Sequence, residues 1–159
     1  LDDLLAQVMA ARSRATPVFL KVAPDLQPAD IDDVVSVAMA RGVAALIVSN
    51  TTISRPDLQS KHARETGGLS GAPLRDLAQQ RLIDFRKASG GKLGLIGVGG
   101  IASAEDAYAR IRAGASLVQI YSALVYHGPG LALKINRQLL KLLQRDGFAN
   151  ISDAVGTDA

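Results

Sequence analysis

Leu93-Gly-Leu-Ile-Gly-Val-Gly-Gly-Ile-Ala-Ser-Ala-Glu-Asp-Ala-Tyr-Ala-Arg-Ile-Arg-Ala-Gly-Ala-Ser-Leu-Val-Gln-Ile-Tyr121 is the stretch that decides the fold. A short apolar run, Leu93 to Val98, ends in a glycine pair. Ser103 then caps a helix that runs to Arg112, with Asp106 at the third position inside the cap. Gly114 stops that helix, and a second apolar run, Ala115 to Tyr121, begins at once. Strand, turn, helix and strand within about 30 residues make a βαβ unit, whose strands are parallel and whose crossover is right-handed.

The same alternation extends to both sides. Pro17 to Val22 reads as a strand, Ala29 to Arg41 as a helix stopped at Gly42, and Ala44 to Val48 as a second, wholly apolar strand. Ile31, Val34, Val35 and Ala38 line one face of that helix, and Asp30, Asp32 and Asp33 favour its start. Ser49 to Gly71 is too long and polar for an ordinary connection, which marks it as a functional loop. Pro73 to Ala88 and Leu131 to Gln144 complete the helices, the latter with Leu131, Ile135, Leu139 and Leu142 on one stripe. The first residues follow helical spacing at Leu1, Leu4, Leu5, Val8 and Met9, so the chain opens inside a helix and reads as a fragment. Four βα units fit an open doubly wound sheet, or half of a (β/α)8 barrel, which usually takes about 250 residues. Residues 1–159 form one unit with no second domain.

Composition narrows the function classes. The chain has 159 residues, 48% hydrophobic and 21% charged, which suits one packed domain and argues against disorder. No apolar run approaches the roughly 20 residues of a membrane span. There is no cysteine, and only His62 and His127 could contribute imidazole, so no metal site is expected. Lys and Arg total 18 against 15 acids, scattered rather than clustered, and aromatic residues are 4%, so no nucleic-acid partner is expected. No GxGxxG follows the first strand and no GxxxxGK[ST] occurs, which excludes dinucleotide and P-loop readings.

Chemistry gathers at the ends of strands. Gly97-Val-Gly-Gly100 precedes the Ser103-capped helix, where backbone N–H groups and the helix dipole favour an anion. The next strand ends in Gln119-Ile-Tyr-Ser122. Two such loops in succession match the phosphate site that many barrels build after strands seven and eight, although the same glycines also serve tight turns. That numbering makes the four strands five to eight. Lys21, inside Phe19-Leu-Lys-Val22, is costly to bury without an anion, or else reaches the rim with its ammonium. Ser49-Asn-Thr-Thr52 offers amide and hydroxyl groups, and Thr66-Gly-Gly-Leu-Ser-Gly71 permits close backbone approach; each is also compatible with a plain polar turn.

Taken together, Lys21-Val-Ala-Pro-Asp25, Ser49-Asn-Thr-Thr52, Thr66-Gly-Gly-Leu-Ser-Gly71, Gly97-Val-Gly-Gly100 and Gly114-Ala-Ser-Leu-Val-Gln-Ile-Tyr-Ser122 resemble the class 2, quinone-dependent dihydroorotate dehydrogenases. The strings cover nearly the whole chain, in order and in spacing. The resemblance implies a (β/α)8 barrel of the FMN-linked oxidoreductase type, of which this chain is the C-terminal half. It implies oxidation of dihydroorotate to orotate in pyrimidine biosynthesis, with quinone as acceptor. By matching motifs, Lys21, Ser49, Gly71, Gly100, Tyr121 and Ser122 would bind FMN, and Asn50 and Thr51 the substrate. The family's general-base serine and its quinone tunnel have no counterpart motif here, so no catalytic residue is expected in this chain. Ser70 is not a substitute base, and His62 and His127 are expected in solvent.

The resemblance also implies peripheral contact with a bacterial cytoplasmic or mitochondrial inner membrane, through a part of the protein outside this chain. The isolated chain is expected to be inactive, and to self-associate or pair with its other half. Its sheet would expose an apolar inner face drawn from Val18, Leu20, Leu46, Val48, Ile96 and Val98. The alternatives are another FMN- or phosphate-binding barrel enzyme, distinguished by the Asn-Thr-Thr string, and a non-catalytic half-barrel that binds a phosphate ligand or a partner.

Overall fold

The computed structural model describes every residue except Asp57, which falls within the long polar segment. In chain order the elements are α1 (Asp2–Ala11), β1 (Phe19–Val22), α2 (Pro28–Ala40), β2 (Ala45–Val48), α3 (Arg75–Ala88), β3 (Gly94–Val98), α4 (Ala104–Arg112), β4 (Leu117–Gln119), α5 (Ser122–His127) and α6 (Leu131–Arg145). A single 3-10 turn, Ala72–Leu74, leads into α3, and another, Ile151–Ala154, follows α6.

The four strands form one parallel sheet in the order β1-β2-β3-β4. Parallel neighbours in chain order, each joined through a helix, are the arrangement of consecutive barrel units, not of a doubly wound sheet with its reversal of strand order. Lys21, Ile47, Ile96 and Leu117 lie side by side across the sheet, and so do Leu20, Leu46 and Leu95. Because side chains alternate, these rows occupy opposite faces.

The second row faces the helices. Val22, Leu46, Val48 and Leu95 pack with Ile31, Val35 and Ala38 of α2 and with Leu82 and Phe85 of α3. A second core joins α4 to α6, with Ala107, Tyr108 and Ile111 against Leu131, Ile135, Leu139 and Leu143. The expected inner face therefore needs correction: Leu20, Leu46 and Val48 belong to the helix-covered core, and Val18 stands before β1 begins. Of the residues named, Ile96 and Val98 are on the open face, beside Lys21 and Ile47. The wholly apolar β2 carries no alternation from which its faces could be told, and the register supplies that information.

Element bounds shift by one or two residues from the sequence reading. β4 ends at Gln119 rather than Tyr121, and Ser122–His127, to which the sequence reading assigns no element, is a short helix. The α6 stripe closes with Leu143, while Leu142 is partly buried. At α4 the expectation holds: Ser103 accepts from the Asp106 N–H at 3.1 Å, and Asp106 accepts from the Ser103 N–H at 3.1 Å.

Leu46 has no exposed surface. Its replacement by alanine should lower stability by about 2–5 kcal/mol, read as a lower urea midpoint with an unchanged slope.

Candidate functional site

All four strands deliver their carboxyl ends to one edge of the sheet, where a cleft of about 260 Å3 opens. Lys21, Ser49, Asn50, Thr51, Gly71, Gly100, Tyr121 and Ser122 all line it. The sequence names these eight from five separate strings, and the fold brings them to one place.

The ladder itself sets the first of them. The N–H of Ser49 donates to the Val98 carbonyl at 3.1 Å, and that of Asn50 to the Val22 carbonyl at 2.7 Å. These bonds carry β2's pairing past its end and fix the backbone of the Asn50–Thr51 step. Ser49 is buried and its hydroxyl donates to the Asn50 carbonyl at 3.1 Å. The Asn50 side-chain oxygen accepts from the Thr51 N–H at 2.9 Å, which leaves the amide's NH2 donors for a ligand. Lys21 sits on the open face of β1 and is exposed, as the rim alternative has it. Its ammonium has no hydrogen-bond or ion-pair partner among the described residues.

The long segment from Ser49 to Gly71 doubles back on itself. Thr52 and Leu69 form an isolated antiparallel bridge, with N–H to carbonyl distances of 3.1 and 2.8 Å. Gly68 is required there: a Cβ would lie 2.0 Å from the Thr51 hydroxyl oxygen. The close approach that the glycine pair permits is thus to Thr51. Arg55 stitches the two limbs, donating to the carbonyls of Glu65 at 3.0 Å and Gly67 at 2.6 Å. At the far end, the Ser122 hydroxyl donates to the Ser70 hydroxyl at 3.1 Å and ties the loop to α5.

Asp25 anchors this loop to the segment after β1. Its carboxylate accepts from the Thr52 hydroxyl at 2.5 Å, the Ile53 N–H at 3.2 Å and the Ser54 hydroxyl at 3.0 Å. Partial burial opposes ionisation of Asp25, but hydrogen bonds from Thr52, Ile53 and Ser54 outweigh it and hold the pKa below the ordinary carboxylate value. Asp25 enters the sequence reading only as the last letter of a string, and Arg55 not at all.

The floor of the cleft is the Gly99-Gly100-Ile101 turn. Beside it, α4 opens on its own capping box. The Asp106 carboxylate accepts from the N–H groups of Ala102 at 3.0 Å and Ser103 at 3.1 Å, and pairs with Arg75 at 3.1 Å. The N–H groups of Ala104 and Glu105 donate to nothing among the described residues, so the helix start adds free donors beside those of the turn. Gly100 has φ +71°, and a Cβ on it would lie 2.7 Å from the Arg75 backbone, so only glycine fits. Both histidines are exposed. His62 lies 2.5 Å from Glu65, whereas His127 lines the mouth of the cleft, a position the sequence did not suggest.

Fold and cleft together are those of a segment of a (β/α)-barrel, an architecture whose functional sites lie at the carboxyl ends of the strands. The family model for dihydroorotate dehydrogenase matches residues 1–143. The chain is 66% identical over 161 residues to the dihydroorotate dehydrogenase (quinone) of Sphingopyxis alaskensis, covering 100% of this chain and 45% of that protein. It is 50% identical over 159 residues to the dihydroorotate dehydrogenase (quinone) of Deinococcus deserti, covering 100% of this chain and 44% of that one. Among solved structures, the DHODH of Eimeria tenella in complex with ferulenol superimposes with a TM-score of 0.88 at 42% identity, over 93% of this chain and 40% of its own. The chain belongs to the dihydroorotate dehydrogenase family, and it spans less than half the length of these relatives.

Asp25→Asn should loosen the 49–71 loop, seen as faster proteolytic cleavage there with the rest of the chain protected. The native Asp25 pKa is depressed, so its contribution is present above the ordinary carboxylate value and lost as pH falls through the native one. Below about pH 4 the wild type should therefore lose stability more steeply than the variant in acid titrations followed by circular dichroism.

Proposed function

We propose that this chain is the C-terminal half of a quinone-dependent dihydroorotate dehydrogenase barrel, forming with it one domain that holds FMN and oxidises dihydroorotate to orotate. The observation that carries the reading is the convergence of Lys21, Asn50, Thr51, Gly100, Tyr121 and Ser122 on one cleft at the strands' carboxyl ends. Bound FMN would supply the two-electron acceptor for dihydroorotate and the donor for quinone.

The residues fit such a group by their chemistry. The N–H groups of Gly100 and Ile101 donate to nothing among the described residues, as suits a phosphate cradle, with Tyr121 and Ser122 beside it. Lys21 brings an ammonium without an acid partner among the described residues, able to stabilise negative charge that develops on a bound ring. Ser49 and Gly71 line the same wall. Asn50, with its oxygen already engaged, would offer its NH2 to acceptor atoms of the pyrimidine, and Thr51 its hydroxyl. The base that removes the substrate proton is assigned, by family resemblance, to a serine outside this chain. Quinone as acceptor implies that the whole protein attaches peripherally to a bacterial cytoplasmic or mitochondrial inner membrane. Among the described residues no helix is long and apolar enough to cross one.

In the full-length protein, Asn50→Ala should raise KM for dihydroorotate and lower kcat/KM at least several-fold with flavin content unchanged, since a lost hydrogen bond to a buried ligand costs about 1–3 kcal/mol. Lys21→Ala should slow flavin reduction in stopped-flow absorbance more than it weakens flavin retention. Unaltered kinetics for Asn50→Ala, or equal losses for Lys21→Ala, would reduce the residue concerned to a structural role.

The isolated chain leaves β1 and β4 as unpaired edges, and Phe19 and Leu117 are 50% and 62% exposed on the open face. Sedimentation should find it larger than a monomer, and assays with added FMN, dihydroorotate and quinone should find no turnover. A monomer that turns over would overturn the half-barrel reading.

A further inference from the structure

Arg110 is 1% exposed and heads the fully buried side chains by volume. Its stem passes over Gly97, where a Cβ would lie 3.2 Å from that of Arg110. Its guanidinium reaches the back of the glycine turn and donates to the Gly99 carbonyl at 2.8 Å, the Arg75 carbonyl at 2.6 Å and the Gln79 side-chain oxygen. Every one of these acceptors is neutral. Burial lowers its pKa to about 10, with Asp106 opposing the shift, so it stays cationic at neutral pH. A buried charge with no carboxylate bonded to it is expensive, and the fold keeps it directly behind the cleft floor.

What it does there follows from peptide geometry. Among the described residues Val48–Ser49 is the cis bond, so the peptides after Gly99 and Gly100 are trans. In a trans peptide the carbonyl and the following N–H point in opposite directions. Arg110 draws the Gly99 carbonyl towards the α3–α4 side, which turns the Gly100 N–H the other way. Arg75 does the same one residue on: its Nε donates to the Gly100 carbonyl at 3.1 Å, which turns the Ile101 N–H away from it. Two arginines thus hold two successive carbonyls, and the two amides they turn find no acceptor among the described residues.

We propose that Arg110, with Arg75, is a positioning residue for the anion cradle: it locks the Gly99-Gly100-Ile101 turn with both amides aimed into the cleft and sets a fixed positive charge behind them. The ligand it serves is a phosphate monoester, and the inference rests on the FMN reading above for the identity of that ester. Neither arginine touches the ligand in this scheme; both act through the turn. The neutral acceptors explain why the charge is retained: an anion on the far side of the turn completes the pairing that the protein leaves open.

The test uses the full-length protein, freed of flavin and titrated with FMN and, separately, with riboflavin, which lacks the phosphate; binding is read by flavin fluorescence. Arg110→Met should weaken FMN at least about tenfold, the scale of a lost charged hydrogen bond, and leave riboflavin within about twofold. Arg110→Lys, which restores the charge but not the fork, should recover part of the FMN affinity. Arg75→Gln, at a more exposed position, should show the same selectivity to a smaller degree, and with Arg110→Lys it decides the matter if Arg110→Met does not fold. Equal weakening of both flavins would make the arginines merely structural and overturn the proposal while leaving the cofactor reading intact. A wild type that binds riboflavin as tightly as FMN would overturn that reading, and this proposal with it.

Discussion

Four strands paired in parallel and in chain order oblige every strand-to-helix loop to leave the sheet along the same edge. Helices cover the opposite face, and the polar ends of the chain's apolar runs are therefore collected without any long-range instruction. The pairing also extends slightly beyond the strands. Ser49 and Asn50 still bond to Val98 and Val22, so the cleft's first side chains stand on backbone held from both sides. The 49–71 loop leaves this footing and is brought back by the Thr52–Leu69 bridge and the Asp25 carboxylate. Each later element of the site depends on that shared edge.

The order and type of the main elements were legible because each helix carries its own stop and each strand its own apolar run. Facing was not legible. Ala45-Leu-Ile-Val48 is apolar at every position, as strands covered on both sides are, so period-two reasoning has nothing to act on. Only the register, Leu46 beside Leu20 and Leu95, shows which residues meet the helices. β1 did hold a signal, since Lys21 marks the open face and its neighbours Leu20 and Val22 the other. The short helix after β4 escaped for a different reason. Tyr121-Ser-Ala-Leu-Val-Tyr126 has strand-like composition, and six residues are too few for a helical period to emerge.

At the site, the named residues that line the cleft were legible and residues that hold them were not. The cleft-lining groups sit in short strings of glycine, serine, threonine and asparagine, unusual at strand ends. Asp25, Arg55, Arg75 and Arg110 look in the sequence like ordinary solvated charges. One of them could have been found. Arg110 falls three residues after Ala107 and next to Ile111, on the buried stripe of α4, and a charged residue in such a stripe needs a partner.

The electrostatics of the cleft then follow from which charges the protein neutralises itself. Asp106 binds the amides of Ala102 and Ser103 just ahead of α4 and pairs with Arg75, so part of the positive end of that helix is answered by a resident carboxylate. The turn in front of it is different: among the described residues its Gly100 and Ile101 amides find no acceptor, the guanidinium behind it bonds only neutral groups, and Lys21 across the cleft has no acid partner. Arg41, Arg81, Arg112 and Arg145 are answered by Asp2, Asp84, Asp146 and Asp158, at positions away from the cleft. Positive charge that meets no carboxylate among the described residues, at the carboxyl ends of the strands, suits a negative ligand there.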